Sequence, residues 1–174
     1  MVTKKLMWVL FGILVISALI LGSAIQAGAE TLKGRNALTA TKNESIPVND
    51  EPGHVLGMLI WEGLAFFENG EIAKMRSHAI RDIIPQKGSQ AIVYNIYTFE
   101  DGSTVVTRVQ RLMVAADKSG TLSAKMTGEL IKGTGRFEGI KGTVSGPGKN
   151  FPASGGEAER AFNDFTWTYT LPTK

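Results

Sequence analysis

The stretch that decides the fold is Thr127–Gly148, which reads TGELIKGTGRFEGIKGTVSGPG. Over residues 121–130, apolar or small residues alternate with polar ones, and this period of two predicts a strand with one buried face. Gly133 and Gly135 then bracket a turn, and the next strand, predicted over about residues 137–145, contains two more glycines. Such glycines mark the sharp bends that a small β-barrel needs in order to close.

The same glycines do not form a phosphate-binding loop. A dinucleotide-binding loop needs its third glycine three residues after Gly135, and Glu138 stands there. A P-loop needs a lysine after its second glycine, and Gly133 is followed by Thr134. The spacing therefore argues against a nucleotide site.

The segment Gly133–Gly142, GTGRFEGIKG, resembles the G-[ST]-G-x-F-E-G-x-x-G segment of plant allene oxide cyclases. Its first half is similar to the G-[ST]-G-x-F segment of dirigent proteins. Both families belong to one group of eight-stranded barrels with bacterial members, and a looser match in hairpin spacing extends over Arg35–Leu171. The resemblance implies a bacterial-type barrel of this group, a homo-oligomer and, if the chain is an enzyme, a cofactor-free cyclase or isomerase.

The N-terminus has the composition of a secretory leader. Two lysines precede an uncharged run over residues 6–21, and Ala-Gly-Ala at residues 27–29 fits the A-x-A cleavage pattern. We therefore predict an N-terminal signal helix in a leader over residues 1–29, export to the periplasm or the extracellular space, and one mature domain over residues 30–174 without stable membrane association. The alternative is an uncleaved anchor, because the apolar character approaches the ~20 residues that a span needs.

Charge and composition exclude several classes of function. The chain carries a net charge of +3, but two of its lysines lie in the leader, so the domain is nearly neutral and no nucleic-acid partner is implied. It has no cysteine, which excludes disulfides and thiol catalysis. Its two histidines, His54 and His78, are not predicted to form a metal site, and the chain has no G-x-S-x-G nucleophile elbow. We expect neither a metal nor a cofactor.

The middle of the chain repeats an apolar extended run followed by a turn. Asn69-Gly70 and Asp101-Gly102 each join two β-rich runs, and such dipeptides are strong hairpin signals. A long loop is predicted over residues 146–159, followed by a closing strand over residues 161–171. Eight strands without helical periodicity after the leader predict an all-β, eight-stranded antiparallel barrel.

Hairpin register predicts which side chains point inward. If Asn69-Gly70 is a two-residue turn, Glu62 lies opposite Ser77 on an apolar face. That face carries Met58, Ile60, Leu64, Phe66, Ala73, Met75 and Ala79. Glu62 would then be a desolvated carboxylate suited to general-base catalysis, as inward carboxylates are in allene oxide cyclases. The alternatives are a structural ion pair with Arg81 or Arg111, or a glutamate in water.

The inward faces of residues 90–99 and 103–115 are harder to choose. The slightly more apolar pair of faces carries Tyr94 and Arg111, which we expect to bind a carboxylate or hydroxyl of a ligand. Trp167 and Tyr169 on the closing strand, with Phe66, are expected to line the same pocket. The alternatives are an ordinary ion pair for the arginine and plain core packing for the aromatic residues.

Three functions fit these predictions. The first is an exported barrel that holds a small apolar ligand. The alternatives are a cofactor-free cyclase or isomerase that acts mostly by orienting its substrate, and a dirigent-like scaffold whose barrel is filled by side chains. Fold analogy does not choose among them. A dimer or trimer is expected in each case, because the outer wall is predicted to carry Leu59, Trp61, Phe67 and Ile80.

Overall fold

The computed structural model describes residues 28–85, 87–113 and 120–173. A compact unit, Ala29–Pro172, contains all of its strands. These are β1 (Glu30–Pro47), β2 (Val55–Phe67), β3 (Ile72–Ile84), β4 (Gly88–Phe99), β5 (Thr104–Met113), β6 (Leu122–Gly133), β7 (Lys141–Phe151) and β8 (Arg160–Thr170). The predicted leader lies almost entirely outside the described residues. Within the described residues, no helix is long and apolar enough to cross a membrane.

The strands form a closed antiparallel barrel in sequence order. Each strand pairs with the next, and β1 pairs with β8 from Glu30↔Tyr169 to Thr39↔Arg160. The predicted eight-stranded antiparallel barrel is therefore confirmed. The long loop is shorter than predicted, because β7 continues through Pro147 to Phe151.

The β2–β3 hairpin has a three-residue loop, Glu68-Asn69-Gly70, in place of the two-residue turn. The Phe67 N–H donates to the Glu71 carbonyl at 2.9 Å, and Gly70 has a φ of 86°. This geometry is typical of a turn closed by a left-handed glycine. It shifts the register by one residue, and such a shift moves every side chain of one strand to the other face.

The predicted inward face of β2 is consequently wrong. Trp61, and not Glu62, lies opposite Ser77. The β2 side chains that face the interior include Leu59, Trp61 and Phe67. Glu62 and Phe66 face outward, and Phe66 is 44% exposed. On β3, Ala73, Met75 and Ala79 are buried and Ile80 is exposed, as predicted.

The β4–β5 hairpin repeats this geometry. The Phe99 N–H donates to the Ser103 carbonyl at 2.9 Å, and Gly102 has a φ of 80°. The inward face of β5, with Arg111, is as predicted. The inward face of β4 is the opposite of the predicted one. Tyr94 is therefore 42% exposed on the outer wall, and the residues directly before and after it are buried.

Aromatic rings close the barrel at the end that carries these two hairpins. Phe67 packs edge-on against Phe165 and Trp167, with ring centroids 5.4 and 5.2 Å away. Instead of continuing as a strand, Gly135–Phe137 forms a short 3₁₀ helix that buries Phe137 against Phe99. We call this the aromatic end. The glycine motif that decides the fold thus supplies one of the rings that close it.

Candidate functional site

The opposite end of the barrel, which we call the arginine end, carries a row of three inward residues on adjacent strands. Arg81 of β3 pairs with Ala91 of β4, and Ala91 pairs with Arg111 of β5. Both arginines are 8% exposed. Because neighbouring strands lie about 4.8 Å apart, the small Ala91 side chain separates two long cationic side chains. The row therefore places two guanidinium groups inside one end of the barrel.

Arg81 is paired with the buried carboxylate Glu159. Its Nη1 lies 3.5 Å from Glu159 Oε2, and these side chains are only 10% and 12% exposed. Its Nη2 donates to Asn43 Oδ1 at 2.9 Å. Glu159 is held from the other side by Asn150 Nδ2, which donates to Oε1 at 2.9 Å, and its carbonyl accepts from the Ala40 N–H at 2.8 Å. Glu159 is therefore fixed at the start of β8.

Among the described residues, the side-chain partners of Arg111 are amides and not carboxylates. Its Nη2 donates to Asn163 Oδ1 at 3.0 Å and also to Asn150 Oδ1. Asn163 in turn donates to Asn36 Oδ1 at 2.6 Å. A Cβ on Gly148 would lie 2.2 Å from Asn163 Oδ1 and 3.1 Å from Arg111 Nη2, so the missing side chain makes room for this group. The amides therefore position Arg111 without neutralising its charge.

Within this group of described residues, the two arginines and Glu159 leave one net positive charge. Burial lowers the pKa of Arg111 to about 10, an effect that Glu159 opposes and Arg81 adds to. The guanidinium therefore stays protonated at neutral pH. Burying a charge without a partner is costly, so this excess favours an anion in the site.

Unused hydrogen-bond donors accompany the excess charge. The Nε atoms of Arg81 and Arg111 are buried and have no partner among the described residues. The same holds for the hydroxyl of Ser89, also at this end, and for Trp167 Nε1 at the aromatic end. Most buried polar groups in proteins are paired, so such groups call for a specific explanation.

A second network of polar side chains joins β3, β4 and β5 at the middle of the barrel. Ser77 Oγ donates to Asn95 Oδ1 at 2.6 Å, and Asn95 Nδ2 donates to Thr107 Oγ1 at 3.0 Å. Burial raises the pKa of Tyr97, an effect that its neighbours Asn36 and Thr107 oppose. This network is satisfied within itself and contributes rigidity to the cavity wall.

A cavity of about 40 Å³ lies between the aromatic rings and the arginines. A water needs roughly 10–15 Å³ on this measure, so the cavity has room for about three waters. Its apolar wall includes Leu38, Leu59, Trp61, Val93, Val109 and Phe165. Its polar wall includes Asn36, Arg81, Asn95, Arg111, Asn150 and Asn163. The barrel is thus nearly filled, and its remaining space adjoins the two guanidinium groups.

The residues predicted to form a site are divided between three places. Arg111 lines the cavity. Trp167 and Tyr169 point inward as expected but lie at the aromatic end and not among the residues that line the cavity; burial, together with Glu30, raises the pKa of Tyr169 to about 12. Tyr94 and Phe66 lie on the outer wall, because the hairpin loops have three residues.

The predicted inward position of Glu62 is also wrong, for the same reason. Its side chain is 50% exposed and lies 3.4 Å from Arg76 Nε across the outer wall. Exposed pairs of this kind contribute little to stability. The apolar surroundings that suggested a general base are absent at Glu62.

Sequence reasoning missed most of the polar site. The sequence suggests Arg81 only as a partner for Glu62 and predicts a loop at Glu159. It gives no prediction for Asn150 or Asn163. The available signal was parity, because Asn163 stands between Ala161 and Phe165 on the apolar face of the closing strand. A polar residue at an inward position of a strand predicts a buried network.

An acidic cluster near the β1–β2 loop is already engaged within the protein. Asp50, Glu51 and His54 each offer a ligand atom within 4.8 Å of the others. However, the His54 ring nitrogens contact Asp50 at 2.5 Å and Asp82 at 3.0 Å, while Glu51 pairs with Lys87. We assign this cluster to the attachment of the loop.

Comparisons with known proteins support the fold alone. No protein-family model matches the chain, and no curated protein matches it. Among solved structures, it is similar to a conserved protein of unknown function from Rhodopseudomonas palustris, with a TM-score of 0.53 and 12% identity. The match covers 83% of this chain and 99% of that one. The resemblance to allene oxide cyclases and dirigent proteins gains no support beyond the eight-stranded barrel.

Proposed function

We propose that this chain is a non-catalytic barrel that binds a small molecule in the cavity at its arginine end. The observation that carries the proposal is the pair of buried, unpartnered Nε donors of Arg81 and Arg111 beside that cavity. Ligand sites combine an apolar wall with a few convergent polar groups, and this cavity has both. The closed aromatic end gives the ligand a floor.

The cyclase or isomerase alternative has no observation in its favour. Glu62, which motivated it, faces solvent. The described residues that line the cavity include no carboxylate, and Glu159, which contacts two of them, is engaged by Arg81 and Asn150. We therefore prefer binding to catalysis.

The scaffold alternative rests on the small size of the cavity. A cavity of about 40 Å³ holds far less than a drug-sized ligand, which needs about 300 Å³ or more. A pure scaffold, however, gains nothing from two buried arginines with idle donors, because replacing buried charges with apolar residues is often stabilising. Trp167 Nε1 is also buried without a partner among the described residues, but it lies at the aromatic end. The two Nε donors belong to residues that line the cavity, and this position favours a site for a compact ligand over a filled core.

The proposed setting of the barrel remains the exported one. The leader composition of residues 1–29 supports it, and intact-mass analysis of the exported protein should show a chain that begins at Glu30. A mass that retains the leader would instead support an anchored protein.

Ligand-detected NMR tests the proposed function. A mixture of neutral and charged molecules of three to six heavy atoms is added to the full-length protein and, separately, to the Ala91→Leu variant. The leucine side chain fills the gap between Arg81 and Arg111. We expect at least one molecule to bind the wild type and to lose binding to Ala91→Leu. Thr98→Leu, on the outer face of the same strand, and Glu62→Gln are the controls and should bind normally. Binding that survives Ala91→Leu, or no binding at all, would contradict the proposal.

A further inference from the structure

The geometry points to a compact carboxylate as the ligand of the arginine end, seated over Ala91 between Arg81 and Arg111. This inference rests on the proposed function and names the chemical class that the cavity takes. It concerns residues that lie on three adjacent strands and share one inward row.

Charge decides that the ligand is an anion and that it carries one charge. Among the described residues of this group, two buried guanidinium groups accompany one part-buried carboxylate, Glu159, so one positive charge remains. A monoanion brings the site to neutrality, whereas a neutral molecule leaves the charge buried and unpaired. A dianion such as hydrogen phosphate would leave the site with one excess negative charge. The site is therefore matched to a monovalent anion.

The unpartnered hydrogen-bond donors indicate where the anion lies. Arg111 uses Nη2 for Asn150 and Asn163, and Arg81 uses its two terminal nitrogens for Glu159 and Asn43. Among the described residues, the buried Nε of each guanidinium is left without a partner, and the Nη2 on the same edge already donates to amide oxygens. A carboxylate has two acceptor oxygens and can take one charge-assisted hydrogen bond from each Nε, so a single anion can satisfy both donors.

The space between the arginines decides the size. Ala91 leaves a gap between two long side chains, and the cavity beside it has room for about three waters. An acid with a short aliphatic tail displaces these waters and places its methylene groups against Leu59 and Val93. A long fatty acid does not fit without movement of the wall.

Isothermal titration calorimetry at fixed ionic strength tests the inference with the full-length chain. The probes are butyrate, n-butanol, n-butylamine and inorganic phosphate, which differ in charge at similar or smaller size. We expect saturable binding of butyrate and at least tenfold weaker binding of the other three. Arg111→Met and Arg81→Met should each weaken butyrate binding at least tenfold. Arg76→Met, on the outer face of the same strand as Arg81, should leave it unchanged.

The outcomes separate this inference from the proposed function. If n-butanol binds as well as butyrate and Arg111→Met has no effect, the barrel is a binding protein but the carboxylate assignment is wrong. Tighter binding of phosphate also overturns the assignment. If none of the probes binds and the NMR mixture gives no ligand, both proposals fall. Thermal unfolding of each variant shows that it is folded, and Ala91→Leu, which keeps every charge, must abolish butyrate binding if the gap is the site.

Discussion

Gly63 of β2 and Ala37 of β1 approach so closely that a Cβ on Gly63 would lie 2.0 Å from the Ala37 carbonyl oxygen. The backbone of β1 must therefore move if Gly63 gains a side chain. We expect Gly63→Ala to lower the free energy of unfolding by about 1–3 kcal/mol, as overpacking does. Denaturant unfolding measures this change.

Gly57, on the same face of the same strand, provides the control for Gly63. A Cβ there would meet its nearest atoms at 3.5 Å, which is ordinary contact. Gly57→Ala should change the free energy of unfolding by less than about 1 kcal/mol. Equal losses in both variants would show that the close approach at Gly63 is not the cause.

Phe66 and Phe67 are adjacent residues that differ in the face they occupy. Phe67 is 5% exposed and contacts four rings of the aromatic end, whereas Phe66 is 44% exposed on the outer wall. Phe67→Ala should therefore cost about 3–5 kcal/mol in unfolding free energy. Phe66→Ala should cost less than about 1 kcal/mol. The opposite order would mean that the two-residue turn, and its register, is the true one.

His54 fastens the β1–β2 loop to the end of β3. Its ring nitrogens contact Asp50 and Asp82, and the hydrogen bond with Asp50 raises the pKa of His54 while it lowers the pKa of Asp50. A raised histidine pKa adds stability below the unfolded value of about 6.5, and this is lost as the pH rises through the folded value. The lowered Asp50 pKa adds stability that is lost as the pH falls below about 4.

The attachment of this loop should therefore be firmest between about pH 4 and 6.5. Amide hydrogen exchange of residues 48–54 across that range, corrected for intrinsic rates, reports it directly. NMR titration of His54 should show a lower midpoint in Asp50→Asn than in the wild type. An unchanged midpoint would mean that Asp50 does not hold the imidazolium.

The outer wall of β2, β3 and β4 carries an apolar row formed by Met58, Ile80 and Ile92. Each is at least 40% exposed, and Ile80 reaches 68%. We propose that copies of the chain associate through this row. Leu59, Trp61 and Phe67, which the sequence predicts on the outer wall, are buried and are not part of it. Light scattering at micromolar concentration should give a dimer or trimer that Ile80→Lys converts to a monomer. Ile131→Lys, on β6, should not, and a monomeric wild type would end the proposal.

Strand number, connectivity and antiparallel pairing follow from local features of the sequence, and so all were predictable. Asn69-Gly70 and Asp101-Gly102 identify hairpins, and an alternating pattern identifies strands without reference to distant residues. The faces of β2 and β4 depend on a single residue of loop length, and Asn-Gly is compatible with two- and three-residue loops. Because Met58 and Ile60 are as apolar as Leu59 and Trp61, hydrophobicity did not correct that error.

The arginine end was beyond sequence reasoning for a different reason. Arg111 was expected inside, but its partners Asn150 and Asn163 lie on strands more than 30 residues away along the chain. Which strands meet across a barrel interior depends on tilt and stagger, and these do not follow from any local pattern. Glu159 falls in a predicted loop, and it is held near the interior because β8 begins directly after it.

The seam between β1 and β8 joins residues as far apart as Glu30 and Tyr169, whose side chains meet at 2.8 Å across 139 positions of chain. The other ladders connect strands that follow one another, and hairpins of this kind form within microseconds. A chain still lacking β8 therefore holds seven paired strands with two bare edges, on β1 and β7, and bare edges recruit other chains. The chain is therefore protected from aggregation only after β8 has been synthesised and has paired with β1 and β7. Its risk of aggregation is highest before the barrel closes.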